Sequence, residues 1–182
     1  MHLLIKSCWA LITLALIFTS TIAQETKFNW PNDKKIAISM TWDDGRSSQI
    51  EYGIPILNKY GIKATFYVVP SAAAKSLDGW KQAIVDGHEI GNHSMKHPCS
   101  GNFIWARDKA LEEKGIEDIT NELLMANDTL NEMLNIKATE FAYPCGQTFV
   151  GRGENTESYV PVIAREFTSG RTWMDEAPND PS

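Results

Sequence analysis

Two adjacent aspartates follow a strand-like segment in the run Thr41-Trp42-Asp43-Asp44-Gly45. Successive strand residues point to opposite sides, so Asp43 and Asp44 share one environment only if the backbone turns, and Gly45 permits that turn. Carboxylates that face different ways suit a division of labour in which one binds a cation and the other accepts a proton. The alternative is a surface turn, for which Asp-Asp-Gly is an ordinary composition.

Histidines mark a second segment, residues 87–97. If the chain becomes helical after a short strand, His93 and His97 fall at positions i and i+4 on one face, within reach of a single ion. A zinc protease helix carries a glutamate directly after its first histidine, and Ser94 occupies that place here, which excludes a protease. Strand alternation turns His88 away from His93 and predicts a structural role for it. The alternative for His93 and His97 is a solvent-facing pair on a helix.

Together, Asp44, His93 and His97 offer one oxygen and two nitrogens to a divalent ion, and positions remain open for water and substrate. Open coordination is typical of catalytic metal sites. Zinc is the expected ion for this donor set, with cobalt or nickel also acceptable. The same set occurs in Fe(II) oxygenases, so that enzyme class stays as an alternative.

Strand and helix patterns alternate around these clusters. Strands are predicted at 35–41, 64–69, 89–92 and 139–143, with a last one beginning at Phe167, and helices at 49–60, 78–86, 116–135 and 158–166. Such alternation predicts parallel strands in an α/β fold, either an open sheet or a barrel. A closed barrel needs about eight strands. The chain therefore looks incomplete at its C-terminus, where residues 176–182 have a loop composition.

Residues 1–23 are predicted to be an export signal, with Lys6 as a weakly basic start, an apolar run at 8–18 and small residues before a cleavage point after Ala23. An uncleaved membrane anchor is the alternative. Residues 24–34 are assigned to a linker and 35–182 to the folded domain, and we expect a periplasmic, cell-surface or extracellular location without a stable anchor. Cys99 and Cys145 remain after cleavage, either paired or as free thiols.

The charge of the sequence limits the kinds of molecule that the protein is expected to bind. The sequence has 17 basic and 23 acidic residues, a formal net charge of −6, and no basic run. Proteins that bind nucleic acid through its phosphates concentrate lysine and arginine on one face. We therefore expect no nucleic-acid partner.

The two clusters and a third motif, Phe141-Ala142-Tyr143-Pro144-Cys145-Gly146, resemble in order the first three motifs of the polysaccharide deacetylase family, the family 4 carbohydrate esterases with the NodB homology domain. The resemblance covers residue 35 to the end. It implies a distorted (β/α) barrel, incomplete here, and metal-dependent hydrolysis of acetyl groups, N-acetyl above all, from a polysaccharide or peptidoglycan.

The resemblance also assigns roles within the site. Asp43 is then the general base, and Asp44, His93 and His97 are the metal ligands. Tyr143, Pro144 and Cys145 form an oxyanion or substrate loop, in which the backbone N–H of Cys145 is the oxyanion donor. A disulfide between Cys99 and Cys145 beside the site is a further hypothesis, because each cysteine follows a motif expected near the metal.

Three departures from the family pattern stand out. Ala142 occupies the place of an arginine that holds the base aspartate, Cys145 replaces a tyrosine, and no histidine follows His97 to protonate the leaving group. The alternative function is therefore a carbohydrate-binding pseudoenzyme that keeps the metal site. Exposed aromatic residues are its candidates for stacking on sugars: Trp105, Tyr143 and Trp173.

Overall fold

The computed structural model describes residues 31–173. The predicted export signal, most of the linker and residues 174–182 lie outside this range. Backbone contacts divide the chain into two units, Met1–Ile38 and Ser39–Ser182. The described part of the first unit contains a 3₁₀ turn at Pro31–Asp33 followed by exposed residues. In the described range, no helix combines the length and apolarity needed to cross a membrane.

Seven strands are present between residues 31 and 173: β1 (Thr41–Trp42), β2 (Thr65–Val68), β3 (Glu89–Asn92), β4 (Glu140–Ala142), β5 (Phe149–Val150), β6 (Glu157–Ser158) and β7 (Ser169–Arg171). Five of them form one parallel sheet in the order β1-β2-β3-β4-β7. The remaining two, β5 and β6, form an antiparallel hairpin. The predicted α/β fold with parallel strands is confirmed, and the strands follow each other in chain order as they do in a (β/α) barrel.

Helices connect the strands of the sheet: α1 (Ile54–Lys59), α2 (Pro70–Ala73), α3 (Leu77–Val85), α4 (Ile116–Leu134) and α5 (Val160–Glu166). A wider helical turn, Gln49–Gly53, precedes α1, and Pro55 lies in the first turn of α1, where its missing N–H costs nothing. The longest helix, α4, is followed by the capping residue Asn135, whose φ of 54° is left-handed. Short 3₁₀ segments occupy Ile104–Lys109 and Leu111–Glu113.

Two apolar clusters make up the core. The first contains Phe66, Trp80 and Leu130, from β2, α3 and α4. The second contains Phe141 of β4 with Tyr159 and residues of α5. Tyr143 belongs to this second cluster and is only 5% exposed. The prediction that Tyr143 is an exposed stacking residue is therefore wrong, because its ring packs against Phe141 and Tyr159.

Some predicted elements need correction. The strand predicted at 35–41 is observed only from Thr41, because Ile36 and Ile38 are 75% and 82% exposed and give that segment no buried face. Between the strand predicted at 139–143 and α5, the chain carries the hairpin of β5 and β6, which was not predicted. The other predicted strands and helices are observed within a few residues of their expected bounds.

Candidate metal centre and active site

Asp43 and Asp44 directly follow β1, where the chain makes a tight turn. The φ angles of Asp44 and Gly45 are 76° and 72°, both in the left-handed region. A Cβ on Gly45 would lie 3.0 Å from the Cβ of Val68 on β2, so glycine is favoured there by conformation and by space. The turn sends the two carboxylates to different partners, as predicted: Asp44 faces the histidines and Asp43 faces Arg171.

His93 and His97 follow β3 in a loop. The helix predicted over these two residues is not present, because Ser94 and His97 have φ angles of 62° and 52°, which no α-helix contains. Side chains stabilise the loop instead. The N–H of Ser94 donates to Oδ1 of Asn92 at 2.6 Å, and the N–H of His97 donates to Oγ of Ser94 at 3.0 Å. The imidazoles still converge, with ring centroids 4.7 Å apart.

Asn92 anchors this loop to the long helix. Its side chain is fully buried, and its Nδ2 donates to the carbonyl of Leu123 at 3.0 Å and to Oδ1 of Asn127 at 2.8 Å. A buried amide needs such partners, since an unpaired one costs free energy. Asn92 was not predicted as a site residue. A polar residue at the end of a buried strand was the available signal.

Three ligand atoms meet at the carboxyl ends of β1 and β3. Oδ1 of Asp44 lies 3.6 Å from Nε2 of His93 and 3.4 Å from Nε2 of His97. Two ligands that share a tetrahedral zinc ion at about 2.0–2.1 Å lie roughly 3.3–3.4 Å apart. The donor set and its spacing therefore fit a divalent ion.

The tautomer of His93 also fits ligation. Nδ1 of His93 lies 2.8 Å from the carbonyl oxygen of Ala142 on β4. A carbonyl only accepts hydrogen bonds, so Nδ1 carries a hydrogen, and in the neutral imidazole Nε2 is then the nitrogen left to bind a metal. At His97, burial followed by the nearby His93 lowers the pKa of the imidazole and favours its neutral, ligating form.

The two oxygens of Asp44 have separate partners. Oδ1 faces the histidines, whereas Oδ2 accepts hydrogen bonds from Nε and Nη2 of Arg46 at 3.0 and 2.8 Å. The adjacent imidazole of His93 and the Arg46 guanidinium hold the pKa of the Asp44 carboxyl far below its ordinary value. Asp44 is therefore ionised, as a metal ligand must be.

Asp43 contacts an arginine from the far end of the sheet. Its Oδ1 accepts a hydrogen bond from Nη2 of Arg171 on β7, and its backbone carbonyl accepts one from Nε2 of Gln49 at 2.6 Å. The Arg171 guanidinium also lies 4.9 Å from the centre of the Tyr67 ring. Arg171 was not predicted as a site residue. The available signal was that an arginine within a predicted parallel strand needs a partner for its charge.

A disulfide joins the two loops of the site. Cys99 is bonded to Cys145, which confirms the hypothesised pair and excludes two free thiols in this structure. Cys145 lies in the turn Pro144–Gly146 with a left-handed φ of 56°, and the N–H of Gly146 donates to the carbonyl of Tyr143 at 2.9 Å. The loop after His97 is thus covalently tied to the loop after β4.

Exposed tryptophans flank the site. Trp105 is 54% exposed, its ring lies 5.9 Å from that of His97, and Phe103 stacks on it at 5.5 Å. Trp173 is 56% exposed and packs against Gly146, since a Cβ on that glycine would lie 2.6 Å from the indole. The prediction that both tryptophans are exposed is confirmed.

His88 belongs to a different environment. It is buried, its Nδ1 accepts the N–H of Ala64 at 3.3 Å, and its Nε2 lies 3.1 Å from Oδ1 of Asn58. These contacts fix one neutral tautomer, with the hydrogen on Nε2. His88 is structural, as predicted.

The chain is similar in sequence to known proteins. The sequence profile described as polysaccharide deacetylase matches residues 31–159. The peptidoglycan-N-acetylglucosamine deacetylase PgdA of Listeria monocytogenes is 26% identical over 127 residues, which cover 69% of this chain and 24% of PgdA.

Two solved structures show the same fold. The deacetylase PplD of Streptococcus pyogenes aligns with a TM-score of 0.56 and 24% identity, over 72% of this chain and 53% of that chain. A family 4 pseudoenzyme of Bacillus anthracis, BA3943, aligns with a TM-score of 0.54 and 22% identity, over 72% of this chain and 41% of that chain. The predicted distorted (β/α) barrel, incomplete in this chain, is thereby confirmed, and the chain spans about a quarter to a half of these relatives.

Proposed function

Since this chain belongs to the polysaccharide deacetylase family, we propose that it hydrolyses acetyl groups, N-acetyl above all, from an extracytoplasmic polysaccharide or peptidoglycan. The observation that carries the proposal is the convergence of Asp44, His93 and His97 at 3.4–3.6 Å, directly beside Asp43. PgdA, named as a peptidoglycan-N-acetylglucosamine deacetylase, supports the choice of substrate class.

Asp44, His93 and His97 would hold the divalent ion, with zinc as the expected species and cobalt or nickel as alternatives. When bound, such an ion lowers the pKa of water towards about 7 and polarises a carbonyl oxygen. His93 is oriented by the carbonyl of Ala142, and Asp44 is ionised before any metal binds. The three residues therefore need little rearrangement to bind the ion.

Asp43 acts as the general base. It takes a proton from the attacking water while the water oxygen adds to the acetyl carbonyl carbon. The C–N bond then breaks while the proton held by Asp43 passes to the nitrogen, so the nitrogen leaves as an amine and the acetyl group leaves as acetate. The carboxylate of Asp43 is suited to this role because it is about one-third exposed and contacts Arg171, whereas the histidines are contacted by Asp44.

The loop Tyr143–Pro144–Cys145 supplies the oxyanion contact through the backbone N–H of Cys145. The left-handed turn at Cys145 and the disulfide to Cys99 fix this peptide, so replacing tyrosine by cysteine leaves the backbone donor in place. Removal of one such donor costs about 10²–10³ in rate. Trp105 and Trp173 flank the site and provide apolar faces on which sugar rings stack.

A second candidate function is a carbohydrate-binding pseudoenzyme. The observation that favours it is that residues 98–182 include no histidine that could protonate the leaving amine. His88 cannot substitute, because its ring is enclosed by Asn58 and Ala64. The fold likeness to BA3943, described as a pseudoenzyme, shows that an inactive protein can have this architecture.

Acetate release distinguishes the two functions. Purified protein loaded with zinc is incubated with N-acetylglucosamine oligomers, peptidoglycan and acetylated xylan, and acetate is measured. We expect release from at least one N-acetylated polymer, none from the Asp43→Asn variant, and equal zinc content in both proteins. Binding of a polymer without acetate release would select the pseudoenzyme. Oxygen consumption with a 2-oxo acid would instead identify the Fe(II) oxygenase.

We also propose that the protein is exported. The disulfide between Cys99 and Cys145 supports this location, because such bonds persist in oxidising compartments. Fractionation of cells that produce the full sequence, with detection of a chain that begins at Gln24, tests the proposal. Retention of Met1–Ala23 on the exported protein would support the anchor instead.

A further inference from the structure

We propose that Arg171 is the positioning residue for Asp43, holding one carboxylate oxygen so that the other faces the attacking water. The inference rests on the proposed function and adds to it a residue on β7. The two residues are separated by 128 positions in the sequence, and Nη2 of Arg171 contacts Oδ1 of Asp43. An aspartate used as a base must be oriented, since a carboxylate left free rotates about its Cβ–Cγ bond.

The guanidinium is itself held in place. Its Nη1 donates to the carbonyl of Thr172 at 3.1 Å, and its carbon lies 4.9 Å from the centre of the Tyr67 ring. Tyr67 is only 4% exposed, so the ring is a fixed surface for the cation. Arg171 is 31% exposed and Asp43 30%, which leaves the pair open to substrate from one side. A planar guanidinium fixed in this way defines a direction for the carboxylate it binds.

The strand register explains why β7 provides this group. Ala142 on β4 and Arg171 on β7 are direct partners in the parallel sheet, so their side chains point to the same face. Ala142 is fully buried and carries no polar group. At this level of the sheet, β4 therefore has no cation for Asp43. The next strand, β7, supplies one from the position that pairs with Ala142.

The first test separates orientation from folding and metal binding. We expect Arg171→Ala to lower kcat by about 10²-fold, the size of effect that a misplaced group causes. The KM and the zinc dissociation constant should change less than about threefold. Arg171→Lys should recover only part of kcat, because an ammonium binds the carboxylate without a planar fork. Arg165→Ala, which removes an exposed arginine from α5, is the matched control and should behave as wild type.

Restoring activity to the Arg171→Ala variant is the most specific test of this role. Guanidinium ion added to Arg171→Ala should raise kcat, and the same addition should do nothing for Asp43→Asn. The double variant Ala142→Arg/Arg171→Ala should likewise recover activity, because the new arginine starts from the register partner. If it fails to fold, the guanidinium experiment still decides. Unchanged kcat in Arg171→Ala, or an equal further loss when the substitution is added to Asp43→Asn, would overturn the inference.

A structural readout keeps this inference apart from the proposed function. If wild-type protein releases no acetate, the proposed function fails, and crystal structures of zinc-loaded wild type and Arg171→Ala then test Arg171 alone. We expect a single orientation of the Asp43 carboxylate in wild type and a rotated or multiple one in the variant. The same single orientation in both structures would refute the role of Arg171.

Discussion

The imidazole of His93 is fixed by the backbone of β4, since its Nδ1 lies 2.8 Å from the carbonyl oxygen of Ala142. The acceptor is a main-chain atom, so it is present whatever side chain occupies position 142. This contact ties the ligand loop after β3 to the strand that leads into the loop of Cys145. The loop of the candidate metal ligands and the proposed oxyanion loop are therefore linked through the backbone of β4.

Each predicted ligand should be essential for metal binding. Replacing Asp44, His93 or His97 singly by alanine removes one of three donors, and we expect zinc affinity to fall at least about 100-fold. Titration calorimetry on chelator-treated protein measures the change. Asp43→Asn is the control and should bind zinc as wild type does. Wild-type affinity in a folded alanine variant of any ligand would contradict the assigned site.

Asn92 should control both stability and metal affinity. Asn92→Ala removes the acceptor of the Ser94 N–H and the donor to Leu123, so buried polar groups lose their partners. We expect the free energy of unfolding to fall by about 1–3 kcal/mol. Zinc affinity should fall about 10- to 100-fold because the ligand loop loses its support. Urea unfolding and calorimetry measure the two effects, and Asn102→Ala, at an exposed loop position, is the control. Unchanged zinc affinity would show that the loop keeps its geometry without Asn92.

The disulfide should contribute strongly to stability. It joins residues 46 positions apart, and the chain-entropy estimate for such a loop is about 4 kcal/mol. We expect Cys99→Ser/Cys145→Ser to unfold at lower urea, with a loss of about 2–4 kcal/mol. Reductant should shift the wild type towards the double variant and leave the variant unchanged. Mass spectrometry after alkylation should show the pair blocked until it is reduced, and alkylation of both cysteines without reductant would contradict the bond.

Trp105 should affect substrate binding rather than chemistry. Its exposed ring stacks on Phe103 beside His97 and has no contact with Asp43 in the described hydrogen bonds or ring pairs. We expect Trp105→Ala to raise KM for an oligosaccharide by about 3- to 10-fold, corresponding to a stacking contribution of about 0.5–1.5 kcal/mol. The kcat should stay within about threefold. A reduced kcat at unchanged KM would assign Trp105 to the reaction itself. Ile104→Ala, which removes an exposed apolar neighbour, is the control.

His88 should make stability depend on pH. Burial, followed by the charge of Lys63, lowers its pKa in the folded state, although Asp86 acts in the opposite direction. Below the ordinary value near 6.5 the unfolded chain binds a proton that the folded chain resists, so stability falls as pH decreases. We expect urea midpoints to drop between pH 7.5 and 5.5, and to drop less in His88→Gln. An equal drop in both proteins would assign the dependence to other groups.

The pattern of apolar and polar residues in the sequence predicted much of the fold. The strand at Glu89–Asn92 and the helix from Ile116 were predicted within a residue of their ends, because apolar periodicity is a local property of the chain. The segment at 35–41 has the same alternation, yet only its end forms a strand. Alternation predicts a strand only where a partner covers the apolar face, and that depends on distant parts of the chain.

The motif residues Asp44, His93 and His97 were identified from type and spacing alone, but the reason for their convergence was not. A helix was expected, and instead the loop after β3 turns through left-handed Ser94 and His97, stabilised by Asn92. Such a turn depends on side-chain hydrogen bonds that periodicity does not reveal. Spacing thus identified three side chains that do converge, but it did not identify the loop that carries the two histidines.

The sequence by itself determined which residue types occur and in which order, and from these we propose a metal-dependent hydrolase. Only the tertiary structure decided which of these residues contact one another. The pairing of Asp43 with Arg171 and the burial of Tyr143 both follow from β7 lying beside β4. Strand neighbours in a parallel sheet are set by long-range packing, so residues far apart in the chain meet in ways that local sequence cannot specify.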